Sequence, residues 1–295
     1  MPMIGDRPEA SIDTVIYGTD FSSSAENAGS YARILASGFS ASLIVSHAFL
    51  LDRPAQEAEM GKGVVSRQRE HLHHLLEQRA HALSSPELQA HATLLDGNPE
   101  DALPAFAEKH GSCVLVLGTH GAGRIAHALV GSVAERVLRA TRWPCLTVGP
   151  RTAPPKDPKA PFQTILFATD LGPSAINAAL FAVAFAQRFE GELHVLNVLP
   201  AGAARNSEQW AETQKHYRHR LEQLIPEHAR EFCNPRTYVE NGSAHDRIFE
   251  HIRERGVDLL VLGIRKSTHT DIEMRTSGAF RLIAESPCPV LTITS

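Results

Sequence analysis

The sequence predicts an α/β protein made of two tandem domains, each with a parallel sheet covered by helices. Short apolar segments alternate with longer segments of helical spacing, which is typical of parallel strands joined by right-handed crossovers. This alternation occurs twice along the 295 residues. Between the two copies, residues 150–163 contain five prolines, and proline at that density forms a semi-rigid spacer. The predicted boundaries are therefore 1–149 for the first domain, 150–163 for the linker and 164–295 for the second domain.

Composition restricts the class of protein. The content of 43% hydrophobic and 21% charged residues is that of a globular chain. A formal net charge of −4 gives no electrostatic reason to expect binding to nucleic acid or to a membrane surface. No apolar run approaches the roughly 20 residues of a membrane span, and the N-terminus lacks the pattern of a signal peptide. The four cysteines are scattered without CxxC pairs, which favours a cytoplasmic protein over a disulfide frame or a zinc site.

The elements of the first domain follow from local patterns. The serines of 21–24 provide an N-cap for a helix that ends at Gly38, and the turn at 96–99 leads into a helix that begins with proline. The predicted strands are Thr14–Asp20, Ser42–Phe49, Leu88–Leu95, one that begins at Cys113 and Pro144–Val148. The predicted helices are those that follow 21–24, Val64–Leu83, the one that begins at Pro99 and the one that begins at or near Ser132.

The second domain repeats this order. The strand Thr164–Asp170 (TILFATD) echoes TVIYGTD of Thr14–Asp20, and Leu171–Ala175 opens a helix as residues 21–25 do. Further predicted strands lie at Gly191–Pro200, Arg236–Asn241, Asp258–Gly263 and Pro289–Ile293. A repeat of this size indicates a duplicated domain rather than the unit of a solenoid.

The strongest functional signal lies in Cys113–Ser132. An apolar strand stops at Gly118, Gly121 follows in a turn, and Gly131 stands directly before a helix. Glycines let backbone N–H groups approach an anion, and a helix start adds unpaired donors and the positive end of the dipole. A purely structural turn is the alternative. The absence of Gly-Lys-Ser/Thr excludes a Walker loop, and the glycine spacing excludes the dinucleotide fingerprint.

This spacing resembles the ATP-binding signature of the universal stress protein family: Gly118, two residues, Gly121, nine residues, Gly131 and then Ser132. Every fixed position matches, and the tandem form of the family resembles nearly the whole chain. The resemblance implies two open five-stranded parallel sheets of order 3-2-1-4-5 with helices on both faces. Both copies of strand 5, PCLTV and PVLTI, are apolar edge strands, so we expect them to pair with each other. The chain would then be an intramolecular pseudo-dimer, with a homodimer of chains as a further option.

The resemblance also implies a ligand, ATP with Mg²⁺ carried on its phosphates. The ligand of an open α/β sheet lies where the strand order reverses, which would set Asp20 opposite Gly118. The residues that the family pattern assigns to ATP are Gly18, Thr19, Asp20, Ala48, Leu117, Gly118, Gly121, Arg124, Gly131, Ser132 and Val133. Two alternatives remain for Asp20, a helix cap or a phosphoacceptor, although no companion acidic pair precedes it. Arg124 would cover the phosphates or stand exposed without a specific role.

No catalytic arrangement is evident, because the sequence shows no Ser-His-Asp order, carboxylate pair or activated cysteine. The histidines His71, His73, His74 and His81 are interpreted as the solvated face of one helix rather than as metal ligands. The favoured function is a stress-response protein that binds ATP and signals its occupancy to unknown protein partners. A slow ATPase or phosphotransferase that uses the same site is the alternative. The intact glycine pattern argues against a module that binds no nucleotide.

The second copy of the signature is degenerate. Alignment of Gly263 with Gly118 places Lys266 at Gly121, Thr276 at Gly131 and Ser277 at Ser132. Asp170 is retained, but the two glycines that allow close backbone approach are replaced. We therefore expect one ATP per chain, bound in the first domain.

Overall fold

The computed structural model describes residues 10–50, 62–119, 130–155, 157–203, 206–231, 233–265 and 278–294. The chain divides into two compact units. The first unit comprises Ile12–Ala126 with Val130–Pro150, and the second unit contains Arg151–Ser295. Within the described ranges, no helix has both the length and the apolar character needed to cross a bilayer.

The first unit is a five-stranded parallel sheet of order β3-β2-β1-β4-β5. Its strands are β1 Thr14–Gly18, β2 Ser42–Phe49, β3 Ala90–Asp96, β4 Cys113–Gly118 and β5 Cys145–Val148. Its helices are α1 Ser23–Phe39, α2 Lys62–Leu83, α3 Pro99–His110 and α4 Ser132–Ala140.

The second unit repeats that order as β8-β7-β6-β9-β10, again with parallel neighbours. Its strands are β6 Thr164–Ala168, β7 Glu192–Leu199, β8 Arg236–Asn241, β9 Leu259–Ile264 and β10 Val290–Thr294. Its α-helices are α5 Ala175–Phe189, α6 Ser207–Leu224, α7 Ala244–Arg255 and α8 Gly278–Glu285, with a 3₁₀ helix at Glu227–Glu231. The predicted α/β class and the tandem organisation are confirmed. The predicted pairing of the two edge strands stays a prediction.

The two central strands of the first sheet are buried. All five residues of β1 are buried, and so are the first five of β4. Helix α1 packs closely on β1, because the hydroxyl of Tyr17 donates to the carbonyl of Ala25 at 2.6 Å. A Cβ at Gly29 would lie only 3.0 Å from the ring of Tyr17. This packing fixes the start of α1 over the carboxyl end of the central strands.

In the first unit, two strands differ by two residues from a predicted bound. Strand β1 ends at Gly18 rather than Asp20, because the chain leaves the sheet in a turn at Phe21, where φ is 60°. Strand β3 begins at Ala90 rather than Leu88, because Leu88 forms an antiparallel bridge with Ser85 directly after α2. In both cases a tight turn next to the strand limits the regular pairing.

Candidate functional site

A cavity of about 260 Å³ opens at the carboxyl ends of β1, β2 and β4. This is the point at which the strand order of the first sheet reverses, where open α/β sheets bind their ligands. The residues that line the cavity are Gly18, Thr19, Asp20, Ala25, Ser46, His47, Ala48, Pro99, Leu103, Leu117, Gly118, Thr119, Gly131, Ser132, Val133 and Ala134.

The turn after β1 presents Asp20 at the rim of this cavity. The carboxylate of Asp20 accepts from the backbone N–H of Ser22 at 3.0 Å and from its hydroxyl at 2.5 Å. The hydroxyl oxygen of Ser22 in turn accepts from the N–H of Ala25 at 3.2 Å. Ser22 is therefore the N-cap of α1, and the alternative that Asp20 is the cap is wrong. Asp20 supports the cap from one side and is exposed on the other.

Strand β2 runs three residues beyond its last pairing with β1, which is Gly18 with Ser46. The N–H of Thr19 still donates to the carbonyl of Ser46 at 2.9 Å. The Nδ1 atom of His47 lies 2.7 Å from the carbonyl oxygen of Thr19. Because a carbonyl can only accept, Nδ1 of His47 carries the proton. Ala48 thus presents to the cavity a backbone edge that has no strand partner on the β1 side in the described part of the chain.

Two glycines keep the floor of the cavity open. A Cβ at Gly18 would lie 2.6 Å from Cδ2 of Leu117, and a Cβ at Gly118 would lie 3.2 Å from the backbone of Ser24 and Ala25. Side chains at these positions would push into the cavity or into the start of α1. Packing alone therefore favours glycine at both positions, whether or not a ligand binds.

The cavity ends at the N-terminus of α4. Gly131 is the N-cap, and Ser132 is the first helical residue. Because Gly131 has no side chain, it cannot accept a hydrogen bond from the first-turn amides. The N–H of Thr119 donates to the carbonyl of Val148 at 3.0 Å, and the N–H of Gly131 donates to the carbonyl of Thr119 at 2.6 Å. These bonds hold the helix start against the end of β4. An uncapped helix start directed at a cavity is a site for an anion.

A charged pair links the two helix starts that border the cavity. Nε of Arg136 donates to the carbonyl of Ser132 at 3.2 Å, and its Nη1 lies 3.0 Å from the carboxylate of Glu100 on α3. Arg136 therefore ties the first turn of α4 to the first turn of α3. It also adds positive charge close to the helix start.

Nine of the eleven residues predicted to contact ATP line this one cavity. The other two, Gly121 and Arg124, lie outside the described residues. The sequence prediction missed the apolar wall from α3, which consists of Pro99 and Leu103. The available signal was the proline at the first turn of a helix with an apolar residue four positions later. That pattern is too common to point to a ligand.

The corresponding turn of the second unit keeps the backbone arrangement. The N–H of Thr169 donates to the carbonyl of Leu196 at 2.9 Å, and Nδ2 of Asn197 donates to the carbonyl of Thr169 at 2.7 Å. Nη2 of Arg265 lies 3.3 Å from the carboxylate of Asp170. The carboxylate equivalent to that of Asp20 thus faces a guanidinium here. Lys266, Thr276 and Ser277 lie outside the described residues.

The cysteines are buried thiols without a disulfide. Burial raises the pKa of Cys113 and Cys288 to about 12 and that of Cys233 to about 11, and it raises the pKa of Cys145 further. None of them is a nucleophile at neutral pH. Among the residues that the structure describes, no three His, Cys, Asp or Glu side chains are grouped to hold a metal ion.

The sequence profile of the Universal stress protein family matches the chain twice, over residues 11–149 and 161–294. A universal stress protein of Methanocaldococcus jannaschii is 38% identical over 61 residues, which are 21% of this chain and 36% of that relative. One from Synechocystis is 41% identical over 54 residues, 18% of this chain and 19% of that protein. The matched segments thus span well under two thirds of either relative.

Solved structures share the fold over almost the whole chain. A universal stress protein from Archaeoglobus fulgidus superposes with a TM-score of 0.66 at 18% identity, covering 96% of this chain and 98% of that one. A putative universal stress protein from Pseudomonas aeruginosa gives a TM-score of 0.60 at 15% identity, covering 97% of this chain and 94% of that one.

Proposed function

The chain belongs to the universal stress protein family, and from this premise we propose that its first unit binds ATP and that the protein acts in the stress response. Occupancy of the site would be signalled to protein partners in the cytoplasm. The observation that carries the proposal is the single cavity that joins an apolar slot, an unpaired strand edge and an uncapped helix start.

Each part of ATP has a suitable surface in this cavity. Leu103 and Leu117 offer apolar contact to the faces of a base, and the backbone of Ala48 offers a donor and an acceptor to its edge. The carboxylate of Asp20 can accept from the hydroxyl groups of a ribose. The first-turn amides of α4, after Gly131, suit the phosphates.

The metal is proposed to arrive with the nucleotide. Mg²⁺ keeps several water ligands and is commonly held by substrate phosphates and few carboxylates. Among the described residues that line the cavity, Asp20 supplies the carboxylate nearest to this role, and it already accepts two hydrogen bonds from Ser22. We therefore assign the coordination of Mg²⁺ mainly to the phosphates.

One observation favours slow hydrolysis as a second candidate. The carboxylate of Asp20 is exposed at the rim of the cavity, where it can orient a water molecule. Release of ADP well above the uncatalysed rate, lost in Asp20→Ala while ATP still binds, would favour an enzyme. Binding without turnover would favour the signalling protein.

The binding proposal is tested by calorimetric titration of ATP into nucleotide-stripped full-length protein. Gly131→Val places a β-branched side chain at the uncapped helix start and should weaken binding by at least about tenfold. Gly278→Val is the matched control, because it makes the same change at the start of α8, where an added Cβ meets open space. The control should bind like the parent. Equal affinity of Gly131→Val and the parent would refute the placement of the phosphates.

A further inference from the structure

The second unit buries a pair of histidines in direct contact. His194 on β7 and His251 on α7 are only 3% and 4% exposed. Nδ1 of His194 lies 2.9 Å from Nε2 of His251, so one of these nitrogens donates to the other. Tyr238 on β8 completes the cluster, with its ring 5.2 Å from His194 and 4.7 Å from His251.

A carboxylate stands at each end of this pair. Nε2 of His194 lies 3.6 Å from Glu192, and Nδ1 of His251 lies 3.9 Å from Glu240. Both separations exceed the donor–acceptor distance of a hydrogen bond. Within the described residues, Nε2 of His194 has no hydrogen-bond partner. Glu192, His194, His251 and Glu240 thus form a line with a direct hydrogen bond only at its centre.

The first unit shows that the fold does not require this cluster. The strand registers place Ile44 of β2 at the position of His194. Helices α3 and α7 both have 12 residues, which places Phe106 at the position of His251. Leu95 likewise stands where Glu240 does. The same architecture is therefore built from apolar residues in one unit, whereas burial of polar groups in the other costs free energy.

Proton counting shows what this arrangement favours. When both rings are neutral, the inner hydrogen bond leaves one outer nitrogen without a proton, facing a carboxylate. One added proton makes both outer nitrogens donors, each directed at Glu192 or Glu240. A second added proton removes the acceptor of the inner bond and places two positive rings with facing N–H groups only 2.9 Å apart, nitrogen to nitrogen. The pair therefore holds one extra proton at most.

Charged groups face the pair from β7, β8 and α7. Arg236 of β8 pairs with Glu192 at the end near His194. From α7, the charged groups are Arg247, which pairs with Glu250 at 2.7 Å, then Glu254, and Arg255, which lies over the ring of Tyr238. Trp210 and Gln214 of α6 close a polar cavity of about 330 Å³ that reaches His251 and Glu240. Water that enters this cavity would reach His251, the member of the pair that lines it.

The balance of these effects opposes the positive charge. Burial, with the positive charges of His194 and Arg255, lowers the pKa of His251 to about 4. Burial also lowers the pKa of His194, against the opposing influence of Glu192. In the unfolded chain both rings titrate near pH ~6.5. At these two rings the folded unit therefore binds fewer protons than the unfolded chain, and their contribution to stability is lost as the pH falls from about 6.5 towards 4. Burial raises the pKa of Glu240, which acts in the opposite sense at the acid end of this range.

We propose that His194 and His251 are an acid-sensing pair, which loosens helix α7 from β7 and β8 when the pH falls below the ordinary titration range of histidine. The proposal is independent of ATP binding in the first unit. On this proposal, the polar cavity is the route by which protons reach the pair. The proposal also explains why histidines stand where the first unit has Ile44 and Phe106.

Hydrogen exchange of the full-length protein tests the proposal between about pH 7 and about pH 5, after correction for the intrinsic rate. Opening of residues 236–255 should increase at least about tenfold over this range. The equivalent residues 91–110 of the first unit are the internal control and should not respond. The matched variant His194→Ile/His251→Phe carries the residues of the first unit, and its residues 236–255 should lose the response.

Imidazole NMR of the parent protein gives a second measurement that does not depend on a variant. Both rings should titrate below pH ~6.5 in the folded protein. Titration of either ring at or above its ordinary value would overturn the proposal. So would an equal increase in opening in residues 91–110, or an unchanged response in a folded double variant.

Discussion

At the scale of single residues, Gly118 serves both the packing and the candidate site. Its missing Cβ lets the backbone at Ser24 and Ala25 approach the end of β4. The same approach brings the start of α1 to the edge of the cavity. A substitution here therefore tests the packing of α1 separately from the chemistry of the phosphate end.

Gly118→Ala should destabilise the first unit by about 1–3 kcal/mol, because the new Cβ meets backbone atoms at 3.2 Å that cannot rotate away. Urea unfolding followed by circular dichroism measures the change. Gly278→Ala is the control, because an added Cβ meets nothing within 4 Å there. Its stability should stay within about 0.5 kcal/mol of the parent or rise. A neutral Gly118→Ala would show that α1 adjusts without cost.

The contact between His194 and His251 could not be predicted from the sequence. His194 stands in the run GELHVLNVLP, which predicts a buried strand, and His251 lies 57 positions later. Only the pairing of β7 with β8 and the packing of α7 bring them to 2.9 Å. A helical or strand period carries no information on which of two distant polar residues will meet, so this pair could not be predicted.

At the scale of elements, the start of a helix depends on whether its cap forms a bond. Asn206 begins α6, and its side-chain oxygen accepts from the N–H of Gln209 at 2.8 Å. Asn98 has the same residue type at the start of α3 but makes no such bond with its side chain. The two positions form a matched pair within one chain.

Asn206→Ala should destabilise α6 by about 1 kcal/mol, whereas Asn98→Ala should change the stability by less than about 0.5 kcal/mol. Urea unfolding of each full-length variant compares the two. An equal loss for both would mean that the conformation of the N-cap backbone, rather than the side-chain bond, determines the cost.

The order and type of the elements could be predicted where apolar runs and glycines mark them clearly. Strand β4 and helix α4 are the best examples, since Gly118 marks the end of β4 and Gly131 marks the start of α4. The sequence predicts an end of β1 that is two residues too late, because the pattern TVIYGTD gives no sign of the turn that the hydrogen bonds of Thr19 and Asp20 reveal. The apolar cavity wall formed by Pro99 and Leu103 could not be predicted, because it depends on how α3 packs against the sheet.

At the scale of the whole molecule, the two copies of the domain are not equivalent. The first unit keeps the uncapped helix start at Gly131, whereas the second aligns Thr276 at that position. In the second unit the carboxylate of Asp170 pairs with Arg265 at 3.3 Å. The repeated order of strands was predictable from sequence because the patterns recur, and the chemical divergence at Gly131 was predictable because it removes a glycine.

Calorimetry should therefore give a stoichiometry near one ATP per chain. Gly131→Val should weaken the one binding event by at least about tenfold and leave no second event of unchanged affinity, because we expect no equivalent site in the second unit. A residual signal of half the parent's heat, with unchanged affinity, would reveal a second ATP and contradict the assignment.

The turns at Phe21 and Leu171 have one further consequence. Both residues are bulky, yet they adopt the same left-handed conformation, with φ of 60° and 59°. In each turn the backbone N–H of this residue donates at 3.0 Å to the hydroxyl oxygen of the threonine two positions earlier, Thr19 or Thr169. The turn after β6 therefore keeps the conformation of the turn after β1, although the second copy of the signature lacks two of its glycines. A transplant of residues 118–132 onto positions 263–277, segments of equal length, should leave these turns unaltered and raise the expected stoichiometry from one ATP per chain to two.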